Sequence, residues 1–178
     1  MPGKVKPITV NQQNSAVSGR KAMPLASCFL QNSRNQAIMI AAHAGYRRAE
    51  IAAYLSLTHA TISRIIQIEK EKTALFEKLK NKGLFWSYDK LVTLNDVGDK
   101  IFIEHLFKYA DFDDIVEAFK LYGSRKLYKE WVSELKNDLR FKKLNLFLAR
   151  VFFGMDVEAD YFQGGASDRE KKLRLLAS

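Results

Sequence analysis

Apolar residues recur three and four positions apart along most of the chain between residues 33 and 155. This spacing places them on one side of a helix, whereas a half-buried strand needs apolar and polar residues to alternate. No stretch of the sequence shows a clear alternation of that kind. Because 47% of the 178 residues are hydrophobic, the helices can also share a packed core. The sequence therefore predicts an all-α protein.

Capping and turn residues predict three short helices within residues 33–68. Ser33 is suited to cap the first helix, and Gly45 is suited to end it. A second helix is expected from about Arg47 to Tyr54. Thr58 is suited to cap a third helix, which is expected to run from His59 to about Gln67.

The remaining segments differ from this region in composition. Residues 1–32 contain prolines, glycines and scattered lysines without a helical pattern, which favours a basic, flexible or loosely docked arm. Residues 69–82 are predicted to form a charge-laced helical connector. Residues 83–155 contain four amphipathic patterns and are predicted to form a C-terminal helical module, followed by a tail over residues 156–178.

The predicted helices of residues 33–68 have the side chains expected of a helix-turn-helix domain. Small Ala52 allows two helices to cross closely, and Leu57 can fill the space beneath the turn that joins them. Ile62 and Ile65 can anchor the third helix, which leaves its opposite face free to enter the major groove of DNA. A helical hairpin that packs only on its own domain is the alternative interpretation.

Nine residues are candidates for DNA contacts. Arg64, on the free face of the third helix, can donate two hydrogen bonds to guanine. Short hydroxyl side chains suit phosphate oxygens, and the basic and aromatic side chains before the second helix suit the DNA backbone. The full set is Tyr46, Arg47, Arg48, Thr58, His59, Ala60, Thr61, Ser63 and Arg64.

The distribution of charge supports a polyanionic partner for the first half of the chain. Residues 1–82 hold 13 Lys and Arg against 4 Asp and Glu, whereas residues 83–178 hold 16 of each. The formal net charge of +9 therefore belongs entirely to the first half. A basic segment joined to a neutral one indicates that the two halves meet different partners.

The segment from about residue 22 to residue 68 resembles the trihelical domain of DNA invertases and resolvases. It also resembles the C-terminal region of REP-associated tyrosine transposases. The resemblance is carried by Arg34-Asn35-Gln36-Ala37-Ile38, Gly45-Tyr46, Ala49-Glu50-Ile51-Ala52 and Ala60-Thr61-Ile62-Ser63-Arg64-Ile65. It implies sequence-directed binding of double-stranded DNA, with Thr61 and Ser63 toward phosphates and Arg64 toward a base. The paired histidines of the transposase catalytic domain are missing, so the resemblance implies a detached, non-catalytic DNA-binding tail.

The segment from about residue 83 to residue 155 resembles a helical module of bacterial antitoxin-like proteins. Such proteins are commonly encoded beside nucleotidyltransferase-type abortive-infection toxins. The resemblance is carried by Phe85-Trp86, Phe102-Ile103-Glu104, Asp111-Phe112-Asp113-Asp114 and Tyr122-Gly123. It implies a protein partner such as a toxin.

The aromatic residues of this module are expected to lie mostly in the core, including Trp86 and Trp131. Some of them can also form an apolar surface for a partner or for a second copy in a homodimer. The residues considered for that surface are Tyr109, Tyr122, Tyr128, Phe152 and Phe153.

Other functional classes find little support in the sequence. No run of apolar residues approaches the length of a membrane span, so no membrane partner is expected. The single cysteine, Cys28, excludes an internal disulfide and a thiolate zinc cluster, and it suits the cytoplasm. No phosphate-binding glycine loop or nucleophile elbow is present, so we expect neither an enzyme nor a cofactor or metal site.

The sequence thus favours a DNA-binding protein, either a transposon-derived transcription regulator or an antitoxin-like autorepressor. One alternative is the DNA-binding tail of a split transposase that acts in recombination through a separate catalytic chain. A second alternative is a protein-interaction module that does not bind DNA.

Overall fold

The computed structural model describes residues 23–30 and 32–162, and all of their regular secondary structure is helical. The predicted all-α class is therefore confirmed. No helix in these residues is long and apolar enough to cross a membrane. The α-helices are α1 (Leu25–Cys28), α2 (Arg34–His43), α3 (Arg48–Tyr54), α4 (His59–Asn81), α5 (Leu94–Tyr109), α6 (Phe112–Tyr122), α7 (Ser124–Glu134) and α8 (Lys142–Phe147).

Local signals set the bounds of α2 and α3 as predicted. The backbone N–H of Ser33 donates to Gln36 Oε1 over 3.3 Å at the start of α2. Gly45 follows the helix with a φ of 92°, a left-handed conformation that glycine adopts without the steric cost of a Cβ. The link between α3 and α4 contains Ser56, which has a φ of 54°.

The first core lies where α2, α3 and the first turns of α4 pack on one another. Leu57 and Ile65, both predicted to face inward, are partly buried against it. We call these helices together with α1 the N-terminal unit. Its buried residues are Cys28, Ala37, Ile38, Ala41, Ile51, Ala52, Ile62 and Ile66.

The segment before α2 packs on this core where the structure describes it, which corrects the expectation of a flexible arm for that part. Cys28 is buried, and Leu25 and Phe29 are partly buried beside it. The apolar side chains of α1 explain the docking, because they cover one side of the first core. The rest of the predicted arm, residues 1–22 and Gln31, lies outside the described residues.

Helix α4 does not end near Gln67 but continues without interruption to Asn81. Its later apolar residues Leu75, Phe76 and Leu79 are almost completely buried in the second core. The predicted connector is therefore helical as expected, and it is also a structural element of the C-terminal unit, which we define as residues 69–162. One helix thus belongs to both cores.

The second core lies between the end of α4 and helices α5 to α8, whose apolar faces match the four predicted patterns. Trp131 is fully buried at its centre, and its Nε1 donates to Asn145 Oδ1 over 2.8 Å. The Asn145 amide donates in turn to the carbonyl of Leu135 over 2.8 Å. This buried asparagine therefore satisfies the indole N–H that the core encloses.

Four features of the second core lie outside regular α-helix. Gly98 interrupts α5 with a φ of 76°. A π-helical turn over Leu148–Phe152 follows α8. A 3₁₀ turn over Leu139–Phe141 precedes α8, and a second one spans Ala159–Phe162, where Phe162 packs on the core. The start of the predicted tail is therefore part of the C-terminal unit.

The expected burial of Trp86 is wrong, because 87% of this residue is exposed. Phe85 takes the buried position in the turn after α4 and stacks near Phe102, which leaves its neighbour pointing outward. Tyr122 was predicted to lie on the partner surface, but it is buried beside Phe102. Phe153 likewise packs inward, with its ring 5.0 Å from that of Trp131.

Candidate nucleic-acid interface

The N-terminal end of α4 is held by a side-chain cap. Thr58 Oγ1 accepts a hydrogen bond from the backbone N–H of Thr61 over 3.1 Å. The two threonine hydroxyls also lie 2.8 Å apart and form a hydrogen bond. Two of the three hydroxyls predicted to contact phosphate, those of Thr58 and Thr61, therefore fix the first turn of the helix, and each retains further hydrogen-bonding capacity.

One face of this end of α4 is open to solvent. His59, Ala60 and Arg64 are exposed, whereas Thr61 and Ser63 are partly buried. Gln67 is also exposed and continues the stripe of Ala60 and Arg64 one turn further along. We call Ala60, Arg64 and Gln67 the reading stripe.

The opposite side of the same turns is anchored in the first core. Ile62 is fully buried and Ile66 is 5% exposed, and both pack against α2 and α3. Because these two side chains fix the rotation of the helix, the reading stripe is held outward rather than left free to turn.

Two exposed arginines, Arg47 and Arg48, lie at the start of α3. The Arg48 Nη1 donates to Ser63 Oγ over 3.3 Å, which holds its guanidinium beside α4. The backbone N–H of Arg47 donates to Glu50 Oε2 over 2.6 Å and so begins α3. Of the two predicted arginines, Arg48 is thus placed at the border of the stripe, and Arg47 directly precedes it in the chain.

The side chain of Tyr46, a predicted contact of the DNA backbone, is held by contacts within the protein. Its hydroxyl donates to the carbonyl oxygen of Met23 over 2.7 Å, and its ring packs against the first core. The side chain therefore ties the segment before α2 to the N-terminal unit.

The charge of this surface is uncompensated. Residues 33–68 contain four arginines and a single acidic residue, Glu50. Among the described residues, none of these arginines forms a salt bridge. In the C-terminal unit, by contrast, the lysines Lys78, Lys82, Lys100 and Lys126 are paired with acidic side chains.

Gln67 was not among the predicted contacts, because the third helix was expected to end there. Residues seven positions apart lie on the same face of an α-helix, so Gln67 would have been predicted on the face of Ala60 if α4 had been expected to continue. Its Nε2 donates to Glu71 Oε1 over 2.7 Å. A carboxylate at residue 71 would repel phosphates, so the exposed part of the stripe that is free of acidic side chains ends at Gln67.

A polar pocket of about 440 Å³ lies between the start of α2 and α5, where Lys72 pairs with Glu69 and Lys126 pairs with Asp99. In the part of the chain that the structure describes, His, Cys, Asp and Glu residues form no group that could hold a metal ion. Arg34 lines the same pocket and forms no salt bridge among the described residues, so the charged side chains around the pocket are three basic and two acidic ones.

No protein-family model, curated protein or solved structure has significant similarity to this chain. The arguments for its function consequently depend on the residues and their geometry.

Proposed function

We propose that residues 33–68 form a helix-turn-helix domain and that the protein binds double-stranded DNA in a sequence-directed manner. The observation that carries this proposal is the reading stripe, which is exposed on a helix whose opposite side is anchored by Ile62 and Ile66. A helix of this width fits the major groove, and residues near its N-terminus can reach the edges of the bases.

The side chains around the stripe divide into two proposed roles. Arg64 reads guanine, and Gln67 can make a paired contact with adenine in the same groove. Arg47 and Arg48 bind phosphates, which positions the helix without reading sequence. Thr58, Thr61 and Ser63 support this arrangement by fixing the helix start and the Arg48 side chain.

We further propose that the protein acts as a regulator whose C-terminal unit binds another protein chain. The C-terminal unit has its own core, and its 17 Lys and Arg are balanced by 17 Asp and Glu. A surface of that kind lacks the long-range attraction for a polyanion. The sequence resemblances to transposase tails and to antitoxin-like proteins favour a transposon-derived regulator or an autorepressor.

The proposal is tested by titrating the protein with duplex DNA at increasing salt. If Arg47 and Arg48 neutralise two phosphates, affinity should fall at least about tenfold between about 50 and 200 mM salt, because counterions are released on binding. Fluorescence anisotropy with a labelled duplex measures this dependence. A protein without affinity for any duplex at low salt would contradict the proposal.

A pair of double variants assigns the effect to this surface. Arg47→Gln with Arg48→Gln should weaken binding and flatten the salt dependence by about two phosphate contacts. Arg125→Gln with Lys129→Gln removes the same charge from the exposed surface of α7 and should change neither quantity. Equal losses in both double variants would show that net charge, and not this surface, determines binding.

A further inference from the structure

The C-terminal unit exposes a group of large apolar side chains that its core does not use. Trp86 is the most exposed of them, and Tyr109, Phe112 and Val151 are each more than half exposed. Phe147 is 39% exposed. We call these five residues the aromatic patch.

The four aromatic members of the patch are neighbours in space or are linked through Lys82 and Asp111. Trp86 and Tyr109 line the same cleft of about 250 Å³, together with Lys82. The ring centroids of Phe112 and Phe147 are 6.4 Å apart. Lys82 also pairs with Asp111 over 2.8 Å, and Asp111 directly precedes Phe112. The cleft and the phenylalanine pair are therefore joined through this ion pair into one surface.

The size of the patch is that of a protein interface. With roughly 200 Å² for each aromatic side chain, its exposed apolar area is roughly 500 Å². A standard interface buries about 800 Å² on each partner, of which about 60% is apolar. Monomers seldom expose a larger apolar surface than this without a use for it.

The backbone beneath the patch is unusual. The π-helical turn Leu148–Phe152 carries Val151 on its outer side, while Leu148 and Ala149 are fully buried. π-helical turns are rare and concentrate at functional sites, because the widened turn costs hydrogen-bond geometry.

The charges around the patch fit a second copy of the same surface. Lys82 pairs with Asp111, and Arg150, beside Val151, pairs with Glu158 over 3.0 Å. Each of these border positions thus carries both signs, so an association of two copies brings together no excess of either charge. A face for an acidic or a basic partner would instead carry an excess of one sign.

We propose that two copies of this chain associate through their aromatic patches to form a homodimer. The inference deepens the proposed function and rests on it in one respect, namely that two reading stripes then serve a DNA site made of two half-sites. Arg64 and Lys82 are separated by about 27 Å along α4 at 1.5 Å per residue. Association at one end of the helix therefore leaves the stripe at the other end accessible.

Sedimentation velocity of the full chain without DNA tests the dimer directly. Trp86→Glu and Val151→Glu, made separately, each place a charge at the patch and should weaken dimerisation at least about tenfold. Leu30→Glu is the matched control, because Leu30 is 78% exposed in the N-terminal unit, and it should leave the dimer unchanged. Circular dichroism verifies the fold of each variant, and Tyr109→Glu replaces any variant that fails this check.

Three results would overturn the inference: a monomeric wild-type protein at about 100 μM, a dimer that survives the patch variants, or a dimer weakened equally by Leu30→Glu. A monomeric wild-type protein would indicate that the patch binds a different protein. DNA binding is measured separately on a duplex with a single site. Loss of DNA binding by every form, with dimerisation intact, would contradict the proposed function and not the dimer.

Discussion

Arg64 is the residue on which the proposed sequence preference depends most. It is exposed in the middle of the reading stripe, and no described salt bridge holds its guanidinium. If it donates two hydrogen bonds to guanine, Arg64→Ala should cost about 1–3 kcal/mol on the preferred duplex and little on random DNA. Dissociation constants measured on a selected sequence and on a scrambled one give the comparison.

The matched variant Arg125→Ala removes an exposed arginine from α7 and should leave both dissociation constants unchanged. If Arg64→Ala weakened the two duplexes equally, Arg64 would be a phosphate contact instead of a base contact. In that case Gln67 would be the remaining candidate for base recognition on the stripe.

At the scale of single elements, the contact between α4 and α6 depends on a buried carboxylate. Asp114 is 1% exposed and accepts from Lys78 over 2.8 Å and from Lys82 over 2.6 Å. Burial alone would raise the pKa of Asp114, but the hydrogen bonds from the two lysines outweigh it and lower the pKa below its ordinary value. The hydrogen bonds to Asp114 and Glu117 correspondingly raise the pKa of Lys78.

Asp114→Asn should therefore destabilise the protein by about 2 kcal/mol at neutral pH, because it removes the shared acceptor of two cations. A group with a lowered pKa in the folded state contributes stability above its unfolded pKa of about 4 and loses it as pH falls further. Urea unfolding at several pH values should show wild type and Asp114→Asn converging below about pH 4.

Asp113→Asn is the control for this contact, since Asp113 lies beside Asp114 in the first turn of α6 but is exposed. It should change stability by less than about 1 kcal/mol. A gap between wild type and Asp114→Asn that persists unchanged into acid would show that the carboxylate charge is not the stabilising feature.

Helix ends were predictable where their signals are local. Ser33 and Thr58 cap helices as expected, because capping depends on a few adjacent residues. The helical state of residues 69–82 was predicted, but their place in the second core was not, since their pattern does not specify which core the apolar side meets. The choice between Phe85 and Trp86 also depends on tertiary packing, because both residues are equally suited to burial.

In the candidate site, too, the features set by local sequence were predictable and those set by distant residues were not. The spacing of Ile62 and Ile65 correctly indicated which side of α4 turns inward, so Ala60 and Arg64 were found as exposed residues. The contact of Tyr46 with Met23 was not predictable, because the two residues are distant in sequence. Long-range partners of this kind are not visible in a local pattern.

At the scale of the whole molecule, α4 connects two cores that would otherwise be separate. Its first turns carry the reading stripe, and its last turns supply Leu75, Phe76 and Leu79 to the second core. A division of the chain between residues 82 and 83 therefore does not separate two folding units. The natural division lies within α4, after Ile66 and before Leu75.

This arrangement predicts that the fragment 69–178 folds, whereas the fragment 83–178 does not. The shorter fragment lacks three fully buried side chains, each worth about 2–5 kcal/mol in a core, against a total stability of about 5–15 kcal/mol. It also lacks Lys78 and Lys82, so Asp114 would lose both of its cationic partners. The C-terminal helices alone should therefore not form a stable core.

Trp131 provides the readout, because it is fully buried and its fluorescence reports on the second core. Trp86→Phe removes the exposed second tryptophan and serves as the background for both fragments. The fragment 69–178 should show a cooperative urea transition with a shift in Trp131 emission, and 83–178 should show solvent-exposed emission without a transition. Equal cooperative transitions in the two fragments would mean that the end of α4 only covers a core that α5 to α8 complete by themselves.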